Sequence, residues 1–416
     1  MSSGGIVAEY LIETPGDPRA AAIAIAGEQS AGTFTKVPLE DDQLWERAGA
    51  SVRSVELLGS CDRPALAIRS VATSSSDACF SRARVTVEFP AENVGEDLAQ
   101  VMATVAGNLY ELGILTGIRL ERLTLPDTLT TALPGGRFGI GGTRDLLDLH
   151  ERPLIGTIVK PSIGLRPDDI AALVLELAVA GLDFIKDDEL QADPTHAPFE
   201  ARVREVCQAL ERASQVTGRR CMYAFNLSGD LEQMLRRHDL VVSAGGLCVM
   251  VNVHAVGLSA TRSLCHQSEV PVHAHRAGFG AVNRHPLLGI SSEAMQTLVA
   301  RTGVDHYHTS GLANKFWEDD DSVVHSIHTC LEQGLMPVLS SGQHPGVVPE
   351  TFRRVESIDL IHLAGGGILA HPDGAQAGVE AMRAAWEATI AGEPLEHARG
   401  RIPALDRAIE RFGTYA

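Results

Sequence analysis

The chain has no run of eighteen or more uncharged apolar residues, so the sequence predicts no membrane-spanning helix. Residues 1–10 lack a basic stretch followed by an apolar one, which predicts no secretory signal and no membrane partner. Paired cysteine spacings are missing as well. The seven thiols at Cys61, Cys79, Cys207, Cys221, Cys248, Cys265 and Cys330 are scattered, the pattern expected of reduced cysteines in a cytoplasmic protein. Positive charge is scarce: 35 Lys and Arg stand against 53 Asp and Glu, a formal net charge of −18. A nucleic-acid partner needs clustered basic residues and is not expected, and any anionic ligand must be held by a few local cations. Each Lys or Arg at a strand end is therefore informative.

What is present is a globular chain. With 416 residues, 44% of them hydrophobic, it is too long for one ordinary core. Residues 1–140 read as an α+β domain of the ferredoxin-like kind, with strands at 6–14, 51–58, 65–70 and 83–89 and a helix over 93–111. A small-residue loop at 27–35 carries Glu28 and Thr33, and Gly107-Asn108 interrupts the helix; each suits a turn or cap as well as a site. Turn formers from Pro134 to Gly142 mark a boundary.

From Leu154 the pattern becomes a strict alternation of short apolar runs and amphipathic stretches. Strands are predicted at 154–160, 182–189, 221–227, 247–253, 270–276, 305–309, 336–341 and 360–364, with helices between them such as 167–180, opened by Pro167. Eight such units predict a TIM barrel over 141–392, followed by an amphipathic helical tail at 393–416 suited to packing or assembly. A barrel collects its functional side chains at the C-terminal ends of its strands. Polar residues fall there repeatedly: Lys160, Lys186 to Glu189, Asn226, His273, His275 and Arg276, His306 and His308, Ser341-Gly342, and Gly365, Gly366 and Gly367.

The densest of these is Gly181-Leu-Asp-Phe-Ile-Lys-Asp-Asp-Glu189. Lys186 and Asp188, two apart on a strand, share a face, while Asp187 points the other way as a structural group. Two explanations stand open. Lys186 can be an ion-pair partner of the carboxylates. Alternatively its amine takes up carbon dioxide, and the carbamate joins Asp188 and Glu189 as three hard oxygen donors suited to magnesium. The histidine pairs suit either core filling or a site. Glycines after the seventh and eighth strands offer backbone N–H groups to a phosphate, and Lys315 lies in a small-residue loop at 310–316 suited to a mobile lid.

With these residues assembled, the chain resembles ribulose-bisphosphate carboxylase (RuBisCO) large subunits, and specifically the RuBisCO-like proteins. The resemblance runs from about Glu28 to Ala377 and rests on Gly156-Thr-Ile-Val-Lys-Pro161, the 181–189 motif, His273-Ala-His-Arg-Ala277, Asp305-His-Tyr-His308 and Gly365-Gly-Gly367. It implies that Lys186 is carbamylated and binds Mg2+ with Asp188 and Glu189, and that Lys160 moves protons at the reacting carbon. It further implies that His275 and His308 line the substrate, that Arg276, Ser341 and the three glycines hold phosphate, and that Lys315 is the lid lysine. Glu28, Thr33 and Asn108 match positions that reach into a partner's barrel, which implies a homodimer with shared sites.

Departures matter too. RuBisCO has a second lysine where this chain has Ser162, a tryptophan at Phe34, a glycine at Gln343 and a histidine at Gly280. These argue against carboxylation of ribulose bisphosphate and for a phosphorylated substrate with one phosphate or a different shape. Methionine-salvage enolases carry a lysine at the position of Asn108, and an amide cannot act as that base. The sequence therefore predicts a magnesium-dependent decarboxylase of 3-oxo-isoapionate 4-phosphate, or its transcarboxylase/hydrolase variant, acting through an enediolate. A diketo methylthiopentyl phosphate enolase, a methylthioribulose phosphate isomerase and a non-catalytic sugar-phosphate binding protein are the alternatives.

Overall fold

The computed structural model of the chain describes residues 4–33, 35–67 and 79–415. It divides into two compact units, Met1–Pro134 with Gly278–Thr302, and Gly135–Ala277 with Gly303–Ala416.

The first unit is built on β1 (Ile6–Thr14), β2 (Ser51–Cys61), β3 (Phe80–Phe89) and β4 (Gly117–Thr124). Along β1, Ile6, Ala8, Tyr10 and Ile12 alternate into the core, as a half-buried strand requires. The helix Leu98–Ala106 is tied to this face where the Tyr10 hydroxyl donates to Val105 O at 2.8 Å. The predicted helix 93–111 is shorter than expected, because Gly107 ends it and a 3-10 turn, Asn108–Glu111, follows. Of the predicted strand at 65–70, residues 65–67 are not extended and 68–70 lie outside the described residues. Ala65 N donates to the Glu13 carboxylate at 2.6 Å and Leu66 N to Thr116 O at 3.0 Å, so these amides join no ladder.

The second unit is a closed parallel barrel, the predicted fold. Its strands are β5 (Leu154–Ile158), β6 (Phe184–Lys186), β7 (Met222–Asn226), β8 (Cys248–Asn252) and β9 (Val272–His275). After β9 the chain departs to form β10 (Leu288–Ile290) and the helix Ser292–Ala300 in the first unit, where β10 pairs in parallel with β4. This excursion lies inside the stretch predicted as barrel, and its apolar Leu287, Ile290 and Leu298 read equally well as barrel packing. The first unit's sheet thus runs β10-β4-β1-β3-β2. The barrel resumes with β11 (His306–Ser310), β12 (Met336–Ser340) and β13 (Ile361–Leu363), in the ring order β11-β12-β13-β5-β6-β7-β8-β9. Leu154, Phe184, Met222, Met250, Met336, Val338, Ile361 and Leu363 fill its interior.

The tail folds as two helices, Leu395–Arg399 and Pro403–Phe412, with Ala404 and Ala408 packed on Ala381 of the helix Ala375–Ile390. All seven cysteines are free, and no helix among the described residues is long and apolar enough to cross a membrane.

Candidate active site

Strand β6 stops at Lys186, three residues short of the predicted end, and Asp187, Asp188 and Glu189 lie just beyond it. Lys186 is fully buried, its Nζ donating to Asp187 O at 2.8 Å and lying 3.8 Å from Glu189 Oε2. Burial pushes its amine down to about 8, against the opposing pull of Glu189, Asp188 and Asp187. A lysine so placed is neutral in about a tenth of molecules at pH 7, far more than an ordinary lysine, and the neutral form is the one that can react with carbon dioxide.

Lys160 follows β5, the neighbour of β6, and reaches across to the same cluster. Its Nζ donates to Asp188 Oδ2 at 2.6 Å and to Ser162 Oγ at 2.8 Å. Asp188 Oδ1 accepts from Leu190 N at 3.1 Å. Asp187 turns away, as expected: it accepts from the Tyr223 hydroxyl at 2.5 Å and Asn226 N at 2.9 Å, and Arg202 Nε lies 3.2 Å off as an ion contact. Burial pushes the Asp187 carboxyl up, opposed by Arg202.

Two asparagines hold the backbone that carries the carboxylates. Asn226, at the end of β7, donates to the carbonyls of Asp188 and Glu189 at 3.3 and 3.1 Å, and Asn252, at the end of β8, donates to Glu189 O at 2.9 Å. The sequence reading found Asn226 and missed Asn252, whose only signal was an amide ending a barrel strand.

The histidines form one packed cluster beside Phe184. His275 and His308 have ring centroids 4.2 Å apart, and His273 lies 5.6 Å from His308 and 6.0 Å from His306. Burial, reinforced by neighbouring rings and Lys186, holds His273, His275 and His308 well below the ordinary imidazole range. They are neutral donors and acceptors. His275 Nδ1 accepts from Ala277 N at 3.2 Å, which assigns the proton to Nε2, 3.6 Å from Glu189 Oε2. His308 Nε2 bonds Ser340 Oγ at 2.5 Å. His306 is spent structurally on Thr143 Oγ1, at 2.8 Å.

The phosphate candidates separate. Ser341 holds a left-handed φ of 73° with a buried hydroxyl that has no protein partner, and Gly342 follows at φ 76°. Gly365 and Gly366 open the short helix Gly365–Leu369, and the space beside Gly366 is clear. Gly367 serves packing, since a Cβ there would meet Gln343 O at 2.3 Å. Gln343 is buried: its Nε2 donates to Leu312 O and Ser341 O, each at 2.9 Å, and its Oε1 faces His362 Nε2 at 3.0 Å. Arg276 does not stand free, because Glu318 and Ser310 take its guanidinium. Lys315 is exposed, its ammonium 5.4 Å from the Phe316 ring centroid.

In the first unit, Glu28 ends the helix Pro18–Glu28, and Glu28, Thr33 and Asn108 are all exposed. Gln29, with its amide oriented to donate to Ala103 O at 2.9 Å and accept from Asn108 N at 2.8 Å, ties the residue after Glu28 to the backbone of Asn108. Thr33 Oγ1 bonds Glu40 Oε2 at 2.7 Å. Phe34 lies outside the described residues.

Known proteins carry the same architecture. The model of the ribulose bisphosphate carboxylase large chain catalytic domain matches residues 139–335 and 330–412, and that of its N-terminal domain matches residues 2–129. A 3-oxo-isoapionate-4-phosphate transcarboxylase/hydrolase of Xanthobacter autotrophicus is 46% identical over 411 residues, covering 97% of this chain and 98% of the relative. A 3-oxo-isoapionate-4-phosphate decarboxylase of Rhizobium etli is 40% identical, covering 98% of each. The crystal structure of a RuBisCO-like protein from Burkholderia fungorum superposes with a TM-score of 0.93 at 44% identity, over 98% of this chain and all of that one. The chain belongs to the ribulose bisphosphate carboxylase large-chain family.

Proposed function

We propose that this chain is a magnesium-dependent enzyme that cleaves the carboxyl-bearing carbon–carbon bond of 3-oxo-isoapionate 4-phosphate. The observation that carries the proposal is the contact of Lys160 with Asp188, 2.6 Å across the ends of β5 and β6: a proton-bearing amine sits against an oxygen-donor cluster at the barrel mouth.

The residues fit a hard divalent cation in one way. Among the described residues no group of three or more His, Cys, Asp or Glu is placed to hold a metal, and at this cluster the Glu189 carboxylate lies 3.8 Å from Lys186 while that of Asp188 meets Lys160. The missing third anion is what a carbamate on buried Lys186 would supply, making the donor set of Lys186, Asp188 and Glu189 all oxygen. A magnesium ion held there supplies electrostatic stabilisation of negative charge growing on adjacent substrate oxygens.

The rest is done by side chains. When the carboxyl group leaves a β-keto acid, the bonding electron pair passes onto the carbonyl oxygen as an enediolate. Lys160 then gives its proton to the carbon that lost carbon dioxide. His275 presents its Nε2 proton to a substrate oxygen beside Glu189, and neutral His308 lines the same wall. Ser341, Gly342, Gly365 and Gly366 offer a hydroxyl and backbone N–H groups to the phosphate. Lys315 is carried on the loop that closes over the mouth, and Glu28, Thr33 and Asn108 of a second copy complete the site in a homodimer.

The names of the relatives support two outcomes of one first step. The 46% identical relative is named a transcarboxylase/hydrolase and the 40% identical one a decarboxylase. Incubation with magnesium, bicarbonate and 3-oxo-isoapionate 4-phosphate separates them. A decarboxylase releases one carbon dioxide per substrate consumed, whereas a transcarboxylase/hydrolase consumes it without gas. Solvent deuterium uptake without consumption points to an enolase or isomerase, and no reaction overturns the proposal.

A further inference from the structure

Arg276 follows β9 at the barrel mouth, where an arginine is expected to meet an anion. The anion it meets belongs to its own chain. Its Nη1 donates to Glu318 Oε1 at 2.9 Å, its Nη2 bonds Glu318 Oε2, and Nη2 also donates to Ser310 Oγ at 2.7 Å. Ser310 in turn donates to Glu318 Oε2 at 2.8 Å. The pair is buried, the two side chains being 13% and 5% exposed. Burial alone would push the Glu318 carboxyl up, but the Arg276 guanidinium outweighs it and holds it below the usual range.

This leaves no fork for a phosphate. Of the two donor pairs an arginine can offer side by side, Nη1 with Nη2 is taken by the carboxylate, and Nε with Nη2 has lost its second member to Ser310. A phosphate gripping Arg276 through two neighbouring nitrogens end-on would have to strip away a buried carboxylate and leave it unpaired, which is strongly unfavourable.

Glu318 also closes the loop that carries Lys315. Gln343 Nε2 holds Leu312 O near one end of that loop, and Asn314 Nδ2 donates to Glu318 O at 3.1 Å near the other. The segment between them, with exposed Lys315, Phe316 and Trp317, is thus fastened to the barrel at both ends.

We infer that Glu318 is a specificity-determining residue: its carboxylate occupies Arg276 as an internal counter-ion, so that Arg276 positions the Lys315 loop and holds no substrate phosphate. Resting on the proposed function for its consequence, this restricts the barrel site to keto acids with a single phosphate.

Calorimetric titration of the full chain with inorganic phosphate tests the inference without any catalytic step. Glu318→Gln frees the guanidinium, and phosphate affinity rises roughly tenfold or a second site per chain appears. Arg276→Lys keeps the charge opposite Glu318, so the chain stays folded even where Glu318→Gln does not, and phosphate affinity stays at the wild-type value. Amide exchange across 311–318 quickens in both variants. A roughly tenfold loss of phosphate affinity in Arg276→Lys, or no gain in folded Glu318→Gln, overturns the assignment. Because the readout is phosphate binding, it can fail while the enzyme still turns over the proposed substrate, and the reverse.

Discussion

Lys160 and Asp188 lie just past the ends of the paired strands β5 and β6, and their 2.6 Å contact sets a cation against the carboxylate proposed to bind magnesium. Side-chain exposure is 43% for the lysine and 2% for the aspartate, so the lysine faces the mouth and the acid the interior. An ammonium in that position can hold a proton ready for a carbon centre while remaining reachable by substrate.

Replacing Lys160 with methionine keeps the stem and removes the proton. The variant is expected to fold, with an unchanged circular dichroism spectrum, and to lose turnover by about 10²- to 10⁴-fold, the usual contribution of general acid–base catalysis. Gas release or substrate consumption at saturating magnesium and bicarbonate measures it. Near-normal rates would remove Lys160 from the mechanism.

Magnesium should depend on carbon dioxide. With no group of three or more His, Cys, Asp or Glu among the described residues placed to hold a metal, calorimetry is expected to show magnesium binding at least about tenfold tighter with bicarbonate present, as loss of one ligand's support would suggest. Lys186→Met should bind magnesium weakly under both conditions. A wild-type affinity indifferent to bicarbonate would mean that Lys186 remains an ordinary amine.

How much of this could be read from residues alone depended on the kind of signal. All eight barrel strands fell where periodicity placed them, because parallel strands buried on both faces read as continuous apolar runs. Their ends were less clear: Lys186, Asp187 and Asp188 are buried like strand residues although the ladder stops at Lys186. Strand β4 was missed because Arg119, Glu121 and Arg122 break up its apolar Ile118, Leu120 and Leu123. The role of Glu318 was invisible, since its partner Arg276 is 42 residues away and only the fold brings them together. Gln343 was noticed as a departure, but that its amide would span Leu312, Ser341 and His362 could not be foreseen.

The histidine core predicts acid sensitivity. Burial holds His306 and His362 to about 3 each, below the ordinary value of about 6.5. Folded pKa values below unfolded ones mean that the unfolded chain binds protons first, so this stability is present above about 6.5 and lost as pH falls towards about 3. Each group contributes a slope of about 1.4 kcal/mol per pH unit once pH is well below 6.5, or about 3 kcal/mol for the two between pH 5.5 and 4.5. Urea unfolding followed by fluorescence across that range measures the loss, and Trp386, which donates to His362 Nδ1 at 3.0 Å, lies against one of the two groups. A flat profile would show that neither imidazole is held neutral.

The shared-site homodimer is testable by mixing. Glu28 and Asn108 are both exposed on the first unit, and Gln29, next to Glu28 in the chain, bonds the backbone of Asn108, a placement that would let both enter a second copy together. Lys186→Met is expected to disable the barrel half of a site and Asn108→Ala the other half, so each homodimer should be inactive or nearly so. Co-expressed with separable tags, the two variants form a hybrid in which one site joins the defective halves and the other joins the intact ones. If partners pair at random, half the dimers are hybrids with one working site of two, and activity returns to about a quarter of wild type. Isolated hybrids should reach about half. Hybrids no more active than their parents would mean that each barrel works with its own chain, or that Asn108 has no place in the site, and Glu28→Ala in the same experiment separates these outcomes.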